Sequence, residues 1–460
     1  MVDAVSVAQT NNQDIDGVLS GVCWSGSNLT YSFPSSASLY GSGYGWGEPQ
    51  NNFEPLNSGQ CAVARQILGM VSSVANISFT EITETATAHA TLRYGQSDAP
   101  SPAWTYLPGA TSEGGDTWFG NSSGWFDTPV RGNYAFYAFL HEMLHGLGLK
   151  HGNETDGFGA MTAAHDSMEY SVMTYRSYVG ADGQHVENET WGYAQSPMMY
   201  DIAALQYLYG ANFSTKSGNT VYRWDPATGQ AFVDGQGQGA PGGNRVLMTV
   251  WDGGGADTYD LSNYTTDLSI DLRPGGWSRT SADQIAELGP GHDARGTIAN
   301  ALLYQGDVRS LIENATGGSG NDVVIGNAAA NVIRGGSGAD RLNGLDGNDV
   351  LTGGAGGDTF VFNVKPSKSA NLDRITDFSV IDDTIQLENA VFTKVGAAGK
   401  LSSAAFWAGT KAHDSSDRVI YDAASGALFY DSDGTGAAAQ IQFALLAKGL
   451  KMTAADFLVI

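Results

Sequence analysis

Three histidines and a glutamate fall within one eleven-residue segment, and their spacing could hold a metal ion. His141 and His145 are four residues apart, so on a helix their imidazoles project from one face. Gly148 tolerates the positive φ that ends a helix, which lets the chain fold back and bring His151 to the same ion. Three protein nitrogens and one open position are typical of catalytic zinc. We therefore predict one zinc ion at the three histidines, with Glu142 as general base towards a zinc-activated water.

The helix that carries this segment is predicted to be buried. Apolar side chains recur along it at roughly helical spacing: Phe136, Phe139, Leu140, Leu144 and Leu147. Unpaired polar side chains on such a helix would be costly to bury, and a bound metal removes that cost. The alternative is three histidines that lie close only by chance.

The segment resembles the zinc-binding motif of the metzincin metalloproteases. That family has a methionine turn under the zinc, and Ser171-Val172-Met173-Thr174-Tyr175 is similar to it. The resemblance implies that Met173 packs beneath the histidines. It also implies that Tyr175 resembles the tyrosine that serralysins use as an extra zinc ligand and as a transition-state donor. The alternatives are ordinary core packing for Met173 and a surface aromatic for Tyr175.

Composition limits the class of protein. The chain has 460 residues, 42% of them hydrophobic, which suits a globular protein of two or three domains. Acidic residues outnumber basic ones 48 to 23, and the net charge of −25 disfavours nucleic acid and anionic lipid as partners. No apolar run is long enough for a membrane span, and Met1–Ile15 lacks the features of a signal peptide, so we expect neither membrane insertion nor an N-terminal signal.

A nine-residue repeat begins at Gly317. Its sixth position carries Asp322, Asn331, Asp340, Asp349 and Asp358, and its eighth carries Val324, Ile333, Leu342, Leu351 and Phe360. Such a repeat predicts a parallel β-roll in which turns 18 residues apart stack and bind calcium through carboxylates and carbonyls. A flexible Gly/Asp-rich linker, the alternative, would not keep an apolar residue in register. The turn that contains Asn331 carries less negative charge than the turns that have aspartate at this position.

Several calcium ions are expected. By resemblance to the start of the serralysin C-terminal domain, the ligands also include residues upstream of the repeats, with Glu313 and Asp383 as flanking carboxylates. The full set is Lys216, Gly218, Thr220, Asp252, Gly254, Gly255, Asp257, Leu311, Glu313, Gly318, Gly320, Asp322, Asn327, Ala329, Asn331, Gly335, Gly336, Ser337, Gly338, Asp340, Gly344, Asp346, Asp349, Gly353, Gly354, Ala355, Gly356, Asp358 and Asp383.

These features together predict an α+β metzincin catalytic domain followed by an all-β domain, a parallel β-roll plus a β-sandwich. We expect a short leader or N-terminal arm over 1–16, the protease domain over 17–235 and the calcium-binding domain over 236–460. By the same resemblance, 114–119 is the edge strand that receives the substrate. Gly152, where serralysins usually have proline, and a short stretch before Met173 are departures from the pattern.

The last residues, 456–460, are an acid followed by apolar side chains and resemble an uncleaved type I secretion signal. The alternative is a buried last strand. A repeat that folds only in extracellular calcium would stay unfolded during export. We therefore expect a secreted extracellular protein whose partners are protein and peptide substrates, the type I apparatus and a protein inhibitor, and which is a monomer.

Cys23 and Cys61 are the only cysteines, and in an exported protein they favour a disulfide. The alternatives are two buried thiols, or a Cys23 thiolate that blocks the zinc before activation. The functional prediction is a secreted zinc endopeptidase. The alternative is a calcium-dependent extracellular adhesin or binding protein with an inactive protease domain.

Overall fold

The computed structural model describes residues 2–460. Its first half holds the α-helices and a small sheet. The helices are α1 (Gln13–Asp16), α2 (Ser58–Val74), α3 (Tyr134–His145) and α4 (Met199–Tyr209). The strands are β1 (Ala4–Ser6), β2 (Val22–Trp24), β3 (Asn28–Ser32), β4 (Ser78–Glu81), β5 (Leu92–Ser97), β6 (Ala103–Thr105) and β7 (Thr117–Gly120). Within the described part of the chain, no helix is long and apolar enough to cross a membrane.

Five strands form one sheet in the order β4-β3-β5-β7-β6. The prediction that 114–119 is an edge strand was wrong. β7 pairs in parallel with β5 on one side and antiparallel with β6 on the other. The chain doubles back after β6, so the hairpin leaves Ala103–Thr105, not Thr117–Gly120, at the free edge next to α3.

The N-terminal residues pack on this body. β1 pairs antiparallel with β2, and α1 contacts α4. Asp14 accepts the backbone N–H of Thr162 at 2.8 Å and a hydrogen bond from His165 at 2.7 Å. A leader or arm over 1–16 stays a prediction, but its described residues hold defined contacts.

The second half is all β. Its strands are β8 (Val221–Trp224), β9 (Ala231–Val233), β10 (Gln236–Gly237), β11 (Met248–Val250), β12 (Thr258–Asp260), β13 (Ser269–Asp271), β14 (Trp277–Ser278), β15 (Glu287–Gly289), β16 (His292–Asp293), β17 (Ile298–Asn300), β18 (Asn314–Thr316), β19 (Val323–Ile325), β20 (Val332–Ser337), β21 (Arg341–Asn343), β22 (Val350–Ala355), β23 (Thr359–Phe362), β24 (Asp373–Ile375), β25 (Thr384–Leu387), β26 (Gly399–Lys400), β27 (Phe406–Ala408), β28 (Val419–Asp422), β29 (Ala427–Tyr430), β30 (Ile441–Leu445) and β31 (Phe457–Val459).

The repeat strands coil between two large sheets. β18, β20, β22 and β24 pair in parallel in one, and β19, β21, β23 and β25 pair in parallel in the other. The eighth-position side chains, Val324, Ile333, Leu342, Leu351 and Phe360, are all 0% exposed between the sheets. The apolar register predicted from the repeat is therefore confirmed, since the second residue of each of these strands faces this core.

Two features bear on the domain limits. The expected boundary after residue 235 falls between β9 and β10, which pair with each other, while β8 pairs with β12. Because β8, β9 and β10 belong to the same sheet as β12, this pairing favours a domain boundary just before β8. The core around α3 also includes Leu247 and Ile285 from the second half, so the halves pack directly on each other.

The structure contradicts the predicted disulfide, because Cys23 and Cys61 are both free thiols. Cys23 lies in β2, where burial raises its pKa. Cys61 lies in the first turns of α2, where its thiol donates to Leu56 O and its charged neighbours are Arg65 and Glu81. The two side chains have different neighbours, so the even number of cysteines led to a wrong prediction of a disulfide.

The chain end forms β31, which pairs with β25 and β26. Phe457 and Val459 are 1% and 2% exposed. The buried last strand is therefore observed, and a role of this segment in export stays a prediction.

Candidate active site

Helix α3 carries the first part of the candidate metal-binding segment, residues 141–151. Asn133 caps it by accepting the backbone N–H of Phe136 at 2.9 Å, and every residue from 135 to 145 is buried. The helix ends at His145, and Gly148 follows with φ +106°. A Cβ at Gly148 would collide with the carbonyl oxygen of Val22, so both conformation and space require glycine.

The predicted three-histidine cluster is present. His145 Nε2 lies 3.1 Å from His141 Nε2 and 3.1 Å from His151 Nε2. Ligands about 2.0–2.1 Å from a tetrahedral zinc would lie roughly 3.3 Å apart, close to this spacing. The donor set and its geometry therefore fit one zinc ion.

Each imidazole is oriented through its other nitrogen. His141 Nδ1 donates to Val172 O at 2.7 Å, and His145 Nδ1 donates to Leu149 O at 2.8 Å. His151 Nδ1 donates to Glu154 Oε1 at 2.6 Å. These bonds hold the proton on Nδ1, which leaves all three Nε2 lone pairs free for a metal.

The electrostatics also keep these side chains neutral. Burial, reinforced by the charge of His151, lowers the pKa of His141 to about 3. Burial and the other two imidazoles lower the pKa of His145 well below its ordinary value, and burial lowers that of His151. Neutral imidazole is the form that binds a metal.

Glu142 follows the first histidine and faces the cleft. Burial raises the pKa of its carboxyl to about 7, against the lowering effect of a hydrogen bond from Thr105. Thr105 Oγ1 donates to Glu142 Oε2 at 3.0 Å from the free-edge strand β6. A carboxyl with a pKa near neutrality can both take up and release a proton at physiological pH.

A cleft of about 860 Å³ opens beside His141 and Glu142. Its other lining residues include Tyr134, Tyr137 and Tyr193. The edge strand contributes Ala103 to the same cleft. An extended peptide could lie along this strand, since an edge strand offers unpaired backbone groups.

The turn that contains Met173 contacts the metal-binding segment on two sides. Met173 is 0% exposed, and its carbonyl accepts the N–H of Gly152, the residue after His151. The preceding Val172 provides the carbonyl that orients His141. Tyr175 Oη lies 2.8 Å from His151 Nε2, which brings it to the position where a bound metal would be.

Three residues at this site were not found from the sequence. Thr105 contacts the predicted base, and Glu154 orients the third histidine. Asp201, in the first turn of α4, accepts hydrogen bonds from Ser171 Oγ at 2.5 Å and Val172 N at 2.8 Å. Only Glu154, three residues after His151, gave any local signal, because the other contacts join segments far apart in the chain.

The repeat turns form the second set of candidate metal sites. Each buried aspartate uses Oδ1 to accept the backbone N–H of the equivalent residue one coil earlier. Asp340 accepts from Asp322 at 2.8 Å, Asp358 from Asp340 at 2.9 Å and Asp383 from Asp358 at 2.8 Å. The predicted carboxylates therefore stack in a column.

The other edge of the roll has its own column. Asp349 accepts the N–H of Asn331 at 2.8 Å, and Asp373 accepts the N–H of Asp349 at 3.1 Å. Asp373 lies after the repeats and was missed, because a 24-residue step replaces the usual 18. It should be added to the candidate calcium-site residues.

Several carboxylate oxygens in these turns have no partner. Oδ2 of Asp257, Asp340 and Asp349 is buried without a hydrogen bond. Burial and neighbouring carboxylates raise the pKa of Asp340 to about 7, and burial and Asp373 raise that of Asp349 to about 8. Orphaned, crowded carboxylate oxygens are what a bound calcium ion would satisfy.

Stacking of the turns also depends on glycine. Gly336, Gly338, Gly354 and Gly356 all have φ between +106° and +137°. A Cβ at any of them would collide with the carbonyl of the turn one coil earlier, Gly318, Gly320, Gly336 or Gly338 respectively. The predicted carbonyl ligands of these turns therefore lie against the neighbouring turn.

The upstream residues also come together. Asp257 Oδ1 accepts the N–H of Thr220 at 2.7 Å, and Glu313 Oε2 accepts the N–H of Asp257 at 2.7 Å. Thr220 in turn donates to Gly218 O at 3.0 Å. No orphaned oxygen marks Leu311, Asp346, Asn327 or Asn331, and the Asn331 amide donates to Glu313 O. Their calcium roles, like those of the other predicted ligands, stay predictions.

Comparison with known proteins gives a consistent pattern. Residues 211–459 match the family model described as peptidase M10 serralysin C terminal. The chain is 39% identical to metalloprotease AprA of Pseudomonas entomophila over 78% of its own length and 71% of the relative. It is 37% identical to serralysin A of Dickeya chrysanthemi over 80% of its length and 74% of the relative.

Proposed function

The chain belongs to the serralysin family and is a metalloendopeptidase, and we propose that it is a secreted, calcium-folded zinc enzyme of metzincin type. The observation that carries the zinc assignment is the convergence of three Nε2 atoms, with 3.1 Å from His145 to each of the other two histidines. Tyr175 is a further ligand in this proposal. A bound zinc ion would supply Lewis acidity to a substrate carbonyl and to the attacking water.

The protein side chains then divide the remaining work. Glu142 takes a proton from the attacking water at a carboxylate oxygen and delivers it to the leaving amine. Its pKa of about 7 suits both steps. Thr105 holds the carboxyl through Oε2, and the Tyr175 hydroxyl donates to the developing oxyanion. The substrate backbone pairs with the edge strand β6.

The calcium-binding turns give the basis for the proposed cellular location. Their stacked carboxylates repel one another without a cation, so folding of the second half would follow exposure to extracellular calcium. We propose type I export, a monomeric enzyme, protein substrates and a protein inhibitor as a further partner. The protease domain and the calcium domain meet near the start of β8 in this proposal.

The test is the variant Glu142→Gln compared with the wild type. It should keep one tightly bound zinc by elemental analysis, keep its melting temperature, and lose at least about 10²-fold of its casein hydrolysis. Thr111→Ser, on an exposed loop away from the cleft, is the control and should retain full activity. Full activity in the Glu142→Gln protein would rule out Glu142 as base, and absence of zinc from the wild type would rule out the metal assignment.

A further inference from the structure

The free-edge strand β6 has two different faces, because successive side chains of a strand point to opposite sides. Ala103 lines the cleft, and Thr105 donates to the carboxylate of the proposed base, so these two side chains face the candidate active site. Trp104 and Tyr106, two residues apart, both donate a hydrogen bond to Glu48 instead. Trp104 and Tyr106 therefore share the face of the strand that is directed away from the cleft.

Glu48 holds three aromatic residues together on that face, Trp46, Trp104 and Tyr106, which we call the aromatic platform. Glu48 Oε1 accepts from Trp104 Nε1 at 2.9 Å and from Tyr106 Oη at 2.5 Å. Glu48 Oε2 accepts the backbone N–H of Trp46 at 2.9 Å. The Trp46 ring meets the Trp104 ring edge to face, with the two centroids 5.4 Å apart. One carboxylate thus fixes all three residues beside the free edge.

Trp46 is the part of the aromatic platform that is open to a ligand. Its exposed fraction is 79%, the largest of any tryptophan in residues 2–460. A tryptophan ring has a large apolar area to bury, and its face carries negative charge density that attracts cations. An exposed ring that is held in place by neighbouring side chains is therefore a candidate contact for a binding partner.

The aromatic platform also lies in a negative field. Glu48 is 0% exposed, and among residues 2–460 no basic side chain lies within ion-pair distance of it. Burial, a hydrogen bond to Glu48 and the charges of Glu48 and Glu113 raise the pKa of Tyr106. Within the same described range, no arginine or lysine lies over any ring of the platform. An exposed tryptophan ring above a carboxylate without a counter-ion favours a cationic side chain.

A peptide paired antiparallel with β6 would contact both faces of the strand. Directly opposed residues of two antiparallel strands have their Cβ atoms about 4.5–5.5 Å apart on the same face. The substrate residue opposite Trp104 would therefore place its side chain at the aromatic platform, while the two residues next to it point towards the cleft. Lysine and arginine have long apolar stems that can lie along the Trp104 ring and bring the charged group to Trp46.

We propose that the aromatic platform is a specificity subsite for a lysine or arginine side chain of the substrate, at the position opposite Trp104. The inference rests on the proposed function, because it requires a peptide substrate paired with β6. It adds a recognition surface on the side of the edge strand away from the histidines. The subsite should act on substrate affinity, since the platform contacts no reacting group.

The test measures cleavage of internally quenched peptides by the full chain loaded with zinc and calcium. The peptides are built around a bond that the enzyme cleaves in casein. Arginine and its neutral isostere citrulline are compared at each of three positions on either side of that bond, with norleucine as the apolar probe. We expect one position at which arginine raises kcat/KM about threefold to tenfold over citrulline, through a lower KM, as one cation–π contact would.

Trp46→Leu should lower the ratio of kcat/KM for arginine over citrulline to about one at that position, and should not change the ratio at the two adjacent positions. The control Trp407→Leu removes an exposed tryptophan of β27, in the second half, and should keep the wild-type ratio. A ratio that survives in Trp46→Leu, no position that favours arginine, or a preference for norleucine over arginine there would overturn the subsite alone. Failure of the wild type to cleave casein would instead overturn the proposed function, and the subsite with it.

Discussion

Glu189 and Arg245 form an ion pair that joins the wall of the candidate catalytic cleft to the C-terminal half, with Glu189 Oε1 2.5 Å from Arg245 Nε. Glu189 lies between Asn188 and Thr190, which line the cleft. The same carboxylate oxygen accepts the backbone N–H of Glu287 at 2.9 Å. The domain that would bind calcium therefore supports the cleft wall directly.

Replacing this carboxylate should affect substrate binding more than chemistry. We expect Glu189→Ala to raise KM about twofold to fivefold with kcat little changed, because about 0.5–1 kcal/mol of support for the wall is lost. Peptide hydrolysis kinetics measure both constants. The control Glu81→Ala breaks the exposed pair of Arg65 and Glu81, 2.7 Å apart on the far sheet edge. If both variants changed KM equally, the cleft wall would not depend on Glu189.

The contact between His151 and Glu154 should tune metal affinity. Glu154→Ala removes the acceptor of the Nδ1 proton, so the third imidazole loses its fixed orientation, and zinc affinity should fall about 10–100-fold. Glu154→Gln keeps an acceptor oxygen, so it should lose less zinc affinity than Glu154→Ala. Competition with a chelator measures the affinity directly. Equal affinity in all three proteins would show that the contact is incidental.

The return of the chain after α3 should tolerate only glycine. Gly148→Ala places a side chain at φ +106° and against Val22 O, so we expect a loss of about 3 kcal/mol or more in the free energy of unfolding. Gly69→Ala is the matched control, because Gly69 lies in α2 with nothing within 4 Å of its Cβ position. This control should be more stable by about 0.5–1 kcal/mol. Chemical denaturation distinguishes the two, and a Gly148→Ala protein as stable as the wild type would refute the requirement.

Calcium removal should destabilise the second half most strongly at high pH. Without calcium, the pKa of Asp349 is raised to about 8 and that of Asp340 to about 7, both above the ordinary 3.8. A raised carboxyl pKa means that the calcium-free fold is favoured at low pH and loses stability as pH rises from about 4 to 8. Ionised carboxylates bind calcium, so the calcium-bound fold gains stability over the same pH range.

The measurement is the melting temperature with calcium and with a chelator at pH 5 and pH 8. The difference between the two conditions should be larger at pH 8. Magnesium, which prefers a smaller octahedral site, is the control cation and should protect less. If the difference in melting temperature between calcium and chelator were the same at both pH values, these carboxylates would not hold the cation.

Much of this protein could be predicted from local patterns. The spacing of His141, His145 and His151 predicted their convergence, because a helical turn followed by a glycine reversal leaves few other arrangements. The nine-residue repeat predicted the stacked coils and the inward side chains, because each 18-residue coil pairs with the coils directly before and after it in the chain. In both cases, the interactions that determine the structure join residues that lie close together in the sequence.

Other features depended on contacts between distant segments. The free edge is β6 and not β7 because a hairpin covers Thr117–Gly120. Asp373 joins the carboxylate column across an irregular insertion, and Cys23 and Cys61 lie apart although their number suggested a bond. The sequence by itself determined the convergence of the three histidines and the coil of the roll, since local spacing and periodic geometry specify both. Only the tertiary structure decided which strand lies at the free sheet edge beside α3 and that Arg245 supports the cleft wall, because both features arise where chain segments remote in sequence pack together.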